Sequence, residues 1–201
     1  MLKDLTLEEY LSAVDSELPA PGGGSVASLV GALGAGLSRM LAHLSINKKL
    51  FKEADEEKQE SFATAAGDIK QYLDALVDGI DGDAWSYQAV VEAYKTKDEY
   101  EIQRALKTSA FMAFDIQNNA LCALYRIPEL IELGNKNVLS DLIAGTILLH
   151  ACIEISNLNV HANANLLTNE EDKKTFIVEG NECVKKASEL KAEILAKIAV
   201  R

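Results

Sequence analysis

Residues 21–45, PGGGSVASLVGALGAGLSRMLAHLS, contain the helix that decides the fold, and we predict it over 25–45. Its apolar and small residues recur at helical spacing and fall on two opposite stripes. The large stripe comprises Val26, Leu29, Val30, Leu33, Leu37, Met40, Leu41 and Leu44, and the small stripe comprises Ala27, Gly31, Gly34, Ala35, Ser38 and Ala42. A helix of this kind is packed on all sides, with neighbouring backbones very close to the small stripe. The pattern therefore predicts a central helix.

Three consecutive glycines, Gly22, Gly23 and Gly24, precede this helix and follow Pro19 and Pro21. Ordering them is costly, because glycine has more backbone freedom to lose than any other residue. A flexible joint explains them, and so does a ligand or a second backbone that approaches closer than a Cβ atom allows. Free amides at a helix start attract anions, although the Walker lysine and a preceding strand are missing. From the glycines alone, both interpretations stay open.

The composition of the chain favours long helices over strands. The 201 residues are 48% hydrophobic and only 6% aromatic, and they include three prolines. Long stretches without a helix breaker, and no alternating strand pattern, predict an all-α, multi-helical bundle of about six helices. This length supports one sizeable core, so we predict a single domain over residues 1–201.

Local signals predict where several helices begin and end. Thr6 and Glu9 form a capping box at the start of the first helix. The glycine-containing stretch DGIDGDAW, residues 78–85, predicts a break in the helix that follows the central one. Pro128 is expected to open a short helical piece, and Ser140 is expected to be the N-cap of the next long helix.

Charge and cysteine content restrict the partners and the compartment. The formal net charge is −11, which repels phosphate backbones and argues against nucleic acid as a partner. The three cysteines are widely spaced and form no CxxC pair, so they fit a reducing, cytoplasmic environment. The least charged stretch, 25–47, carries Arg39 and His43 and is rich in small residues. It therefore predicts a buried helix rather than a membrane span.

Two charged motifs each have a structural and a functional interpretation. Lys48 and Lys49 follow the central helix, where they either complement its dipole in solvent or contact an anionic substrate tail. Asp81 lies one helical turn before Trp85, and such a carboxylate is either solvated or desolvated by the indole. Desolvation would make Asp81 a general acid, because burial disfavours the charged form.

A polar stripe further along the chain is a weak metal candidate. His150, Glu154 and His161 recur on one helical face, but a helical metal site needs ligands from a second helix. The sequence contains no second His–Glu pair of this kind, so we predict no metal site. Asn159 and Asn163 stand one turn apart on the next face and are expected to line a polar cleft.

Taken together and in order, these motifs indicate a family. PxPGGGSVAxLVGALGAxL, KK, DxxAW, GNKNxxSD and NVxxN span about residues 19–163. This set resembles the formiminotetrahydrofolate cyclodeaminase and methenyltetrahydrofolate cyclohydrolase family. The resemblance implies an all-helical subunit that forms a homodimer, with a folate cleft near the glycines.

The same resemblance implies particular site residues. The acidic residue of the family motif falls on Asp81, our first catalytic candidate, and Asp141 is the second. Trp85 stands where phenylalanine is usual. Two departures leave the exact substrate open: Asn47 stands where glycine is common, and the stretch AFMAFDIQ lacks a proline that is often present in that helix. The substrate-binding candidates are Gly22, Gly23, Gly24, Ser25, Lys48, Lys49, Asn135, Ser140, Asn159 and Asn163. We expect Ser25 to cap the central helix at this ligand site.

The resemblance implies a one-carbon reaction at N5 and N10 of tetrahydrofolate. Either 5-formiminotetrahydrofolate is converted to 5,10-methenyltetrahydrofolate and ammonia, or the methenyl bridge is hydrolysed. A carboxylate acting as general acid and base serves both reactions, with no cofactor beyond the tetrahydrofolate substrate, whose glutamate tail the lysines would contact. The alternative is an inactive folate-binding or structural helical homologue. For the homodimer, we expect the small stripe around Gly34 to meet a second copy across a two-fold axis.

Overall fold

A computed structural model describes residues 1–200, which form seven α-helices, two short 3₁₀ turns and no strand. The helices are α1 (Leu7–Val14), α2 (Gly23–Ser45), α3 (Lys49–Lys52), α4 (Glu56–Thr96), α5 (Glu99–Ile131), α6 (Leu139–Ala164) and α7 (Glu170–Ala199). The 3₁₀ turns are Leu2–Asp4 and Lys136–Val138. The expected all-α bundle is confirmed, and α3 is only a single turn.

Helix α2 lies at the centre and packs between α4 and α6, while α5 contacts all three and α7 covers α5 and α6. Its small stripe faces the core, where Ala27, Ala35 and Ser38 are fully buried. Apart from Leu41, which is fully buried, its large stripe faces outward, and Leu33, the most exposed of these side chains, is 54% exposed. Within one subunit the small stripe of α2 is packed as expected, whereas packing of the outward part of the large stripe stays a prediction.

Helix α2 crosses α6 with the two backbones in close contact. A methyl group on Gly34 would lie 2.8 Å from the carbonyl oxygen of Gly145, and one on Gly145 would lie 2.7 Å from that of Gly34. One turn earlier, a methyl group on Gly31 would lie 2.7 Å from Sγ of Cys152, whose burial raises its pKa to about 12. The small stripe thus meets another backbone as expected, but that backbone is α6 of the same subunit and not a second copy.

Gly34→Ala is expected to lower the free energy of unfolding by about 1–3 kcal/mol, because its methyl group overlaps backbone that cannot move aside. Gly36→Ala is the matched control on the same helix, since its methyl group meets only Leu73 Cδ1, at 3.8 Å. The control is expected to be neutral or stabilising by up to about 1 kcal/mol. Urea unfolding of both variants measures the difference, and equal stabilities would contradict this account of the crossing.

Two predicted helix starts are wrong by two residues. Helix α2 begins at Gly23 with Gly22 as its N-cap, so Ser25 lies inside the first turn. Helix α6 begins at Leu139 with Val138 as its N-cap, and Ser140 is likewise inside the first turn. The capping box of Thr6 is confirmed at the start of α1.

The two predicted interruptions are also wrong. Helix α4 continues through DGIDGDAW, because its glycines are sites of close packing. A methyl group on Gly79 would overlap Oγ of Ser28, and one on Gly82 would lie 3.0 Å from Sδ of Met112. Pro128 lies inside α5, which continues to Ile131. Tertiary packing outweighs the local preference of these residues.

Two stretches, Gly23–Ser45 and Lys136–Ala164, are long and apolar enough to cross a membrane by length and composition. The core helix of a soluble protein has the same length and composition, and half of the most apolar part of the first stretch is buried. That the chain has no membrane partner stays a prediction.

Candidate active site

The three glycines that we call the glycine loop, Gly22–Gly24, are the N-cap and the first two residues of α2, and a carboxylate from α4 lies against them. The backbone amide of Ser25 donates to Oδ2 of Asp83 at 3.0 Å. The Ser25 hydroxyl donates to the carbonyl oxygen of Ile80 at 2.7 Å and lies 3.4 Å from the same Asp83 oxygen. A methyl group on Gly24 would overlap the Asp83 carboxylate. A glycine is therefore required at position 24, because a side chain of the protein itself approaches the backbone there.

Asp83 is placed for proton exchange. It is half-buried, and its Oδ1 accepts no hydrogen bond from residues 1–200. Burial raises the pKa of this carboxyl, and the hydrogen bonds from Ser25 only partly oppose that shift. A partly accessible carboxyl with a raised pKa is typical of groups that act as general acid and base. Sequence reasoning missed Asp83, although it lies two residues after Asp81 in the same motif.

Asp81 lies in a different environment. It is only 2% exposed, its Oδ1 accepts the backbone amide of Leu2 at 2.6 Å, and its Oδ2 is buried without a hydrogen-bond partner among residues 1–200. The neighbouring Lys3 pairs with Asp78 at 2.6 Å, which fixes the N-terminal segment over this face of α4. Asp81 is therefore desolvated rather than solvated, whereas a contribution of Trp85, which is 60% exposed, to that desolvation stays a prediction. The catalytic role of Asp81 stays a prediction.

Tyr10 of α1 adjoins the two carboxylates. Its hydroxyl is buried without a hydrogen-bond partner among residues 1–200, and burial raises its pKa to about 12, with contributions from the charges of Asp83 and Asp81. Tyr10 also lines a mainly apolar pocket of about 200 Å³ with Leu29 and Ile80. The N-terminal segment therefore forms one wall of the acidic region, which the motifs alone did not indicate.

Asn159 brings α6 to the glycine loop. A methyl group on Gly23 would lie 3.6 Å from Nδ2 of Asn159, and this Nδ2 donates to the carbonyl oxygen of Ile155 at 3.3 Å. Asn163 is half-buried one turn further along α6. The structure therefore places Asn159 beside the glycine loop, and the binding of substrate by Asn159 and Asn163 stays a prediction.

The remaining predicted residues lie at the opposite end of α2. Lys48, Lys49 and Asn135 line a pocket of about 340 Å³, together with Lys136. The backbone amide of Asn135 donates to Oγ of Ser45 at 2.8 Å, which anchors this pocket to the last turn of α2. Because the pocket concentrates positive charge in an acidic chain, it suits an anionic group.

Ser140 and Asp141 follow this lysine pocket in the first turn of α6. Helix α2 has 23 residues, so its two ends are about 33 Å apart. The predicted site residues thus fall into two groups at opposite ends of one helix. The glycine end holds Gly22, Gly23, Gly24, Ser25, Asp81, Asn159 and Asn163, and the lysine end holds Lys48, Lys49, Asn135, Ser140 and Asp141.

The polar stripe of α6 contains a buried histidine. Nε2 of His150 lies 3.1 Å from the hydroxyl of Ser188, and Nδ1 lies 3.3 Å from Nζ of Lys191. Burial and the Lys191 charge lower the pKa of His150, although Glu154 opposes this. Residues 1–200 contain no group of three or more His, Cys, Asp or Glu side chains arranged to hold a metal ion. That the chain needs no metal stays a prediction.

The fold is that of a class of folate one-carbon enzymes. It matches the crystal structure of formiminotetrahydrofolate cyclodeaminase from Thermotoga maritima with a TM-score of 0.90 and 27% identity, covering 99% of this chain and 98% of that one. The sequence is 31% identical over 173 residues to the methenyltetrahydrofolate cyclohydrolase of Methylorubrum extorquens, with 79% of each chain covered. It is 29% identical over 176 residues to the formimidoyltransferase-cyclodeaminase of Gallus gallus, covering 83% of this chain and 32% of that relative.

The family follows from these matches. The family model described as formiminotransferase-cyclodeaminase matches residues 6–182. This chain belongs to the formiminotransferase-cyclodeaminase family.

Proposed function

We propose that this chain, a folate one-carbon enzyme of the cyclodeaminase and cyclohydrolase type, converts 5-formiminotetrahydrofolate to 5,10-methenyltetrahydrofolate and ammonia. The observation that carries this choice is the match to the cyclodeaminase of Thermotoga maritima over nearly the full length of both chains. The second candidate is methenyltetrahydrofolate cyclohydrolase, because the relative from Methylorubrum extorquens with that name is 31% identical over 79% of each chain.

Both reactions need the same proton transfers. In cyclodeamination, N10 attacks the formimino carbon, N10 loses a proton, and the departing nitrogen gains one. In cyclohydrolysis, water attacks the methenyl carbon and the N5–C bond breaks with a proton added to N5. One carboxylate can carry both protons in either reaction, and such catalysis contributes roughly a hundred- to ten-thousand-fold. The carboxylates next to the glycine loop supply this chemistry.

One assay decides between the candidates. The purified chain is given 5-formiminotetrahydrofolate, and the methenyl product is followed by its absorbance. Formation of the methenyl compound supports the cyclodeaminase. Hydrolysis of added methenyltetrahydrofolate without that reaction supports the cyclohydrolase. Binding of reduced folate with neither reaction would overturn both and leave the inactive homologue.

Two copies of the chain are proposed to complete the site. The outward stripe of α2 comprises Val26, Leu29, Val30, Leu33, Leu37, Met40 and Leu44, a contiguous apolar surface along a whole helix. Such a surface is typical of an interface. A two-fold contact uses the same patch on both subunits. With the two-fold axis perpendicular to α2 at the middle of the stripe, the paired α2 helices are antiparallel, because a half-turn about that axis reverses the helix direction. The glycine end of one subunit then lies beside the lysine end of its partner.

This arrangement explains the division of the site residues. Groups that are about 33 Å apart in one subunit become neighbours across the interface. The folate pterin can then lie at the glycine end while its glutamate tail reaches the lysine end of the partner. Each homodimer contains two such sites.

Lys48→Met combined with Lys49→Met is expected to raise KM about tenfold and to leave kcat nearly unchanged, because a tail contact contributes uniform binding. The matched control is Lys185→Met with Lys186→Met, an adjacent exposed pair on α7. In both pairs one lysine faces a glutamate one turn earlier or later, at 3.6 Å for Lys49 and 3.8 Å for Lys186. Steady-state kinetics with mono- and polyglutamyl substrates measures the effect. An unchanged KM with both substrates would show that Lys48 and Lys49 are solvated and do not contact the glutamate tail.

A further inference from the structure

We infer that Asp83 is the carboxylate that moves the proton in this reaction, and that Ser25 holds it in position. The inference rests on the proposed function and adds to it the identity of the proton carrier. The motif that indicates the family points to Asp81, whereas contacts and accessibility favour the carboxylate two residues later.

The two carboxylates of the motif, Asp81 and Asp83, point in different directions and cannot both contact a ligand at the glycine loop. Side chains two residues apart on a helix point about 160° away from each other, so Asp81 and Asp83 face different surroundings. Asp81 faces the N-terminal segment, which encloses it and supplies the Leu2 amide to Oδ1. Asp83 faces the first turn of α2, where it is half-buried and meets the glycine loop. Only Asp83 therefore combines accessibility with a place at the loop.

The attachment of Asp83 leaves one oxygen for chemistry. Both contacts from Ser25 reach Oδ2, while Oδ1 accepts no hydrogen bond from residues 1–200 and lies against Gly24. Anchoring one oxygen fixes the direction of the other, which is the arrangement that a proton carrier needs. The absence of a Cβ atom at Gly24 makes this placement sterically allowed.

Opposing influences act on the protonation of Asp83. Burial favours the neutral acid, while the Ser25 amide and the positive end of the α2 dipole favour the carboxylate. Asp141 lacks this environment, since it lies in the first turn of α6 at the other end of α2.

The proton path conserves atoms and charge. The lone pair of N10 forms a bond to the carbon of the protonated formimino group, and the second electron pair of the C=N double bond moves onto its nitrogen, which becomes an amino group. The N10 proton passes to the Asp83 carboxylate. The resulting carboxylic acid gives that proton to the amino group on the same carbon. The carbon–nitrogen bond then breaks, ammonia leaves with the electron pair, and the positive charge remains on the methenyl bridge. Asp83 ends as it began, a carboxylate.

The test is Asp83→Asn, which keeps the shape of the side chain but cannot accept the proton from N10. It is expected to lower kcat at least about a hundredfold, with folate binding nearly unchanged. Asp74→Asn, an exposed carboxylate of α4 paired with Lys70, is the matched control and is expected to keep wild-type kcat. Asp83→Glu is expected to recover part of the activity. Because burial disfavours the Asp83 charge, Asp83→Asn is expected to unfold at no lower temperature than the wild type at neutral pH.

A pH profile separates proton transfer from a structural role. The reaction begins with the Asp83 carboxylate, whose pKa burial raises, so wild-type kcat is expected to fall as the pH drops through that raised value. This acid limb is expected to be absent from the residual activity of Asp83→Asn. For the positioning role, Ser25→Ala is expected to shift the limb to higher pH, because it removes the Ser25 hydroxyl that lies near the carboxylate.

The outcomes are distinguishable. A wild-type chain that transforms neither folate overturns the proposed function, and the inference with it. An active wild type with near-normal kcat in folded Asp83→Asn overturns the inference alone. A hundredfold lower kcat in Asp81→Asn together with a near-normal kcat in Asp83→Asn would identify Asp81 as the proton carrier.

Discussion

Gly24→Ala is expected to lower kcat about a hundredfold, as Asp83→Asn does, although it removes no functional group. Its methyl group would occupy the position of the Asp83 carboxylate, which is short and cannot bend away while it remains bonded to Ser25. The carboxylate must therefore leave the loop. Substrate binding is expected to weaken as well, because the methyl group also narrows the loop.

Gly67→Ala is the control for this variant. It is a glycine of α4 with no atom within 4 Å of the added methyl group, so it is expected to keep full activity. Thermal unfolding establishes that both variants are folded, and steady-state kinetics gives kcat. Wild-type turnover in folded Gly24→Ala would show that Asp83 does not need its place at the loop, and would count against its role.

Leu33→Glu is expected to give a folded monomer with at least about a hundredfold less activity, since it places a charge in the middle of the proposed interface. A monomer retains both groups of site residues but holds them at opposite ends of α2, so neither group alone forms the site. Val178→Glu is the control, because Val178 is 55% exposed on α7, away from the outward stripe of α2. Sedimentation equilibrium at micromolar concentration measures the assembly. A monomeric wild type with full activity would contradict the shared site.

Mixed dimers test the shared site directly. Asp83→Asn damages the glycine end, and the Lys48→Met, Lys49→Met pair damages the lysine end. In a mixed dimer, one site receives two damaged ends and the other receives two intact ends. Random mixing is then expected to restore about a quarter of wild-type activity at low substrate concentration. If the mixture shows only the average of the two parent activities, each site lies within one subunit.

The two stripes of α2 were predictable from the sequence, but the partner of each stripe was not. Helical spacing places Gly34 on one face and Leu33 on another, so both stripes follow from periodicity. A face buried within the subunit and a face that forms an interface can both be apolar. Only the packing of the other helices shows which stripe of α2 is buried and which is left outside. The small stripe contacts α6, and the large stripe remains outside.

The candidate site was predictable as a set of motifs but not as an arrangement. The motif DGDAW indicated an acidic site, yet the choice between Asp81 and Asp83 depends on how α4 is rotated against α2. That rotation is set by distant contacts, such as the hydrogen bond of Ser28 to the carbonyl oxygen of Leu76. The same contacts explain why glycines that predict a break instead lie within a continuous helix. The separation of the lysines from the glycine loop, by contrast, follows from the helix predicted over 25–45, which differs from α2 by only two residues at its start.

The placement of Cys152 beneath Gly31 gives the subunit a built-in reporter of its own opening. A thiol reacts through its thiolate, and full burial together with a pKa of about 12 keeps Cys152 unreactive while α2 and α6 are in contact. Alkylation of this sulfur requires the two helices to separate, so its rate measures how often the core opens. The rate at which α2 and α6 separate can therefore be measured at a native cysteine, without an introduced label.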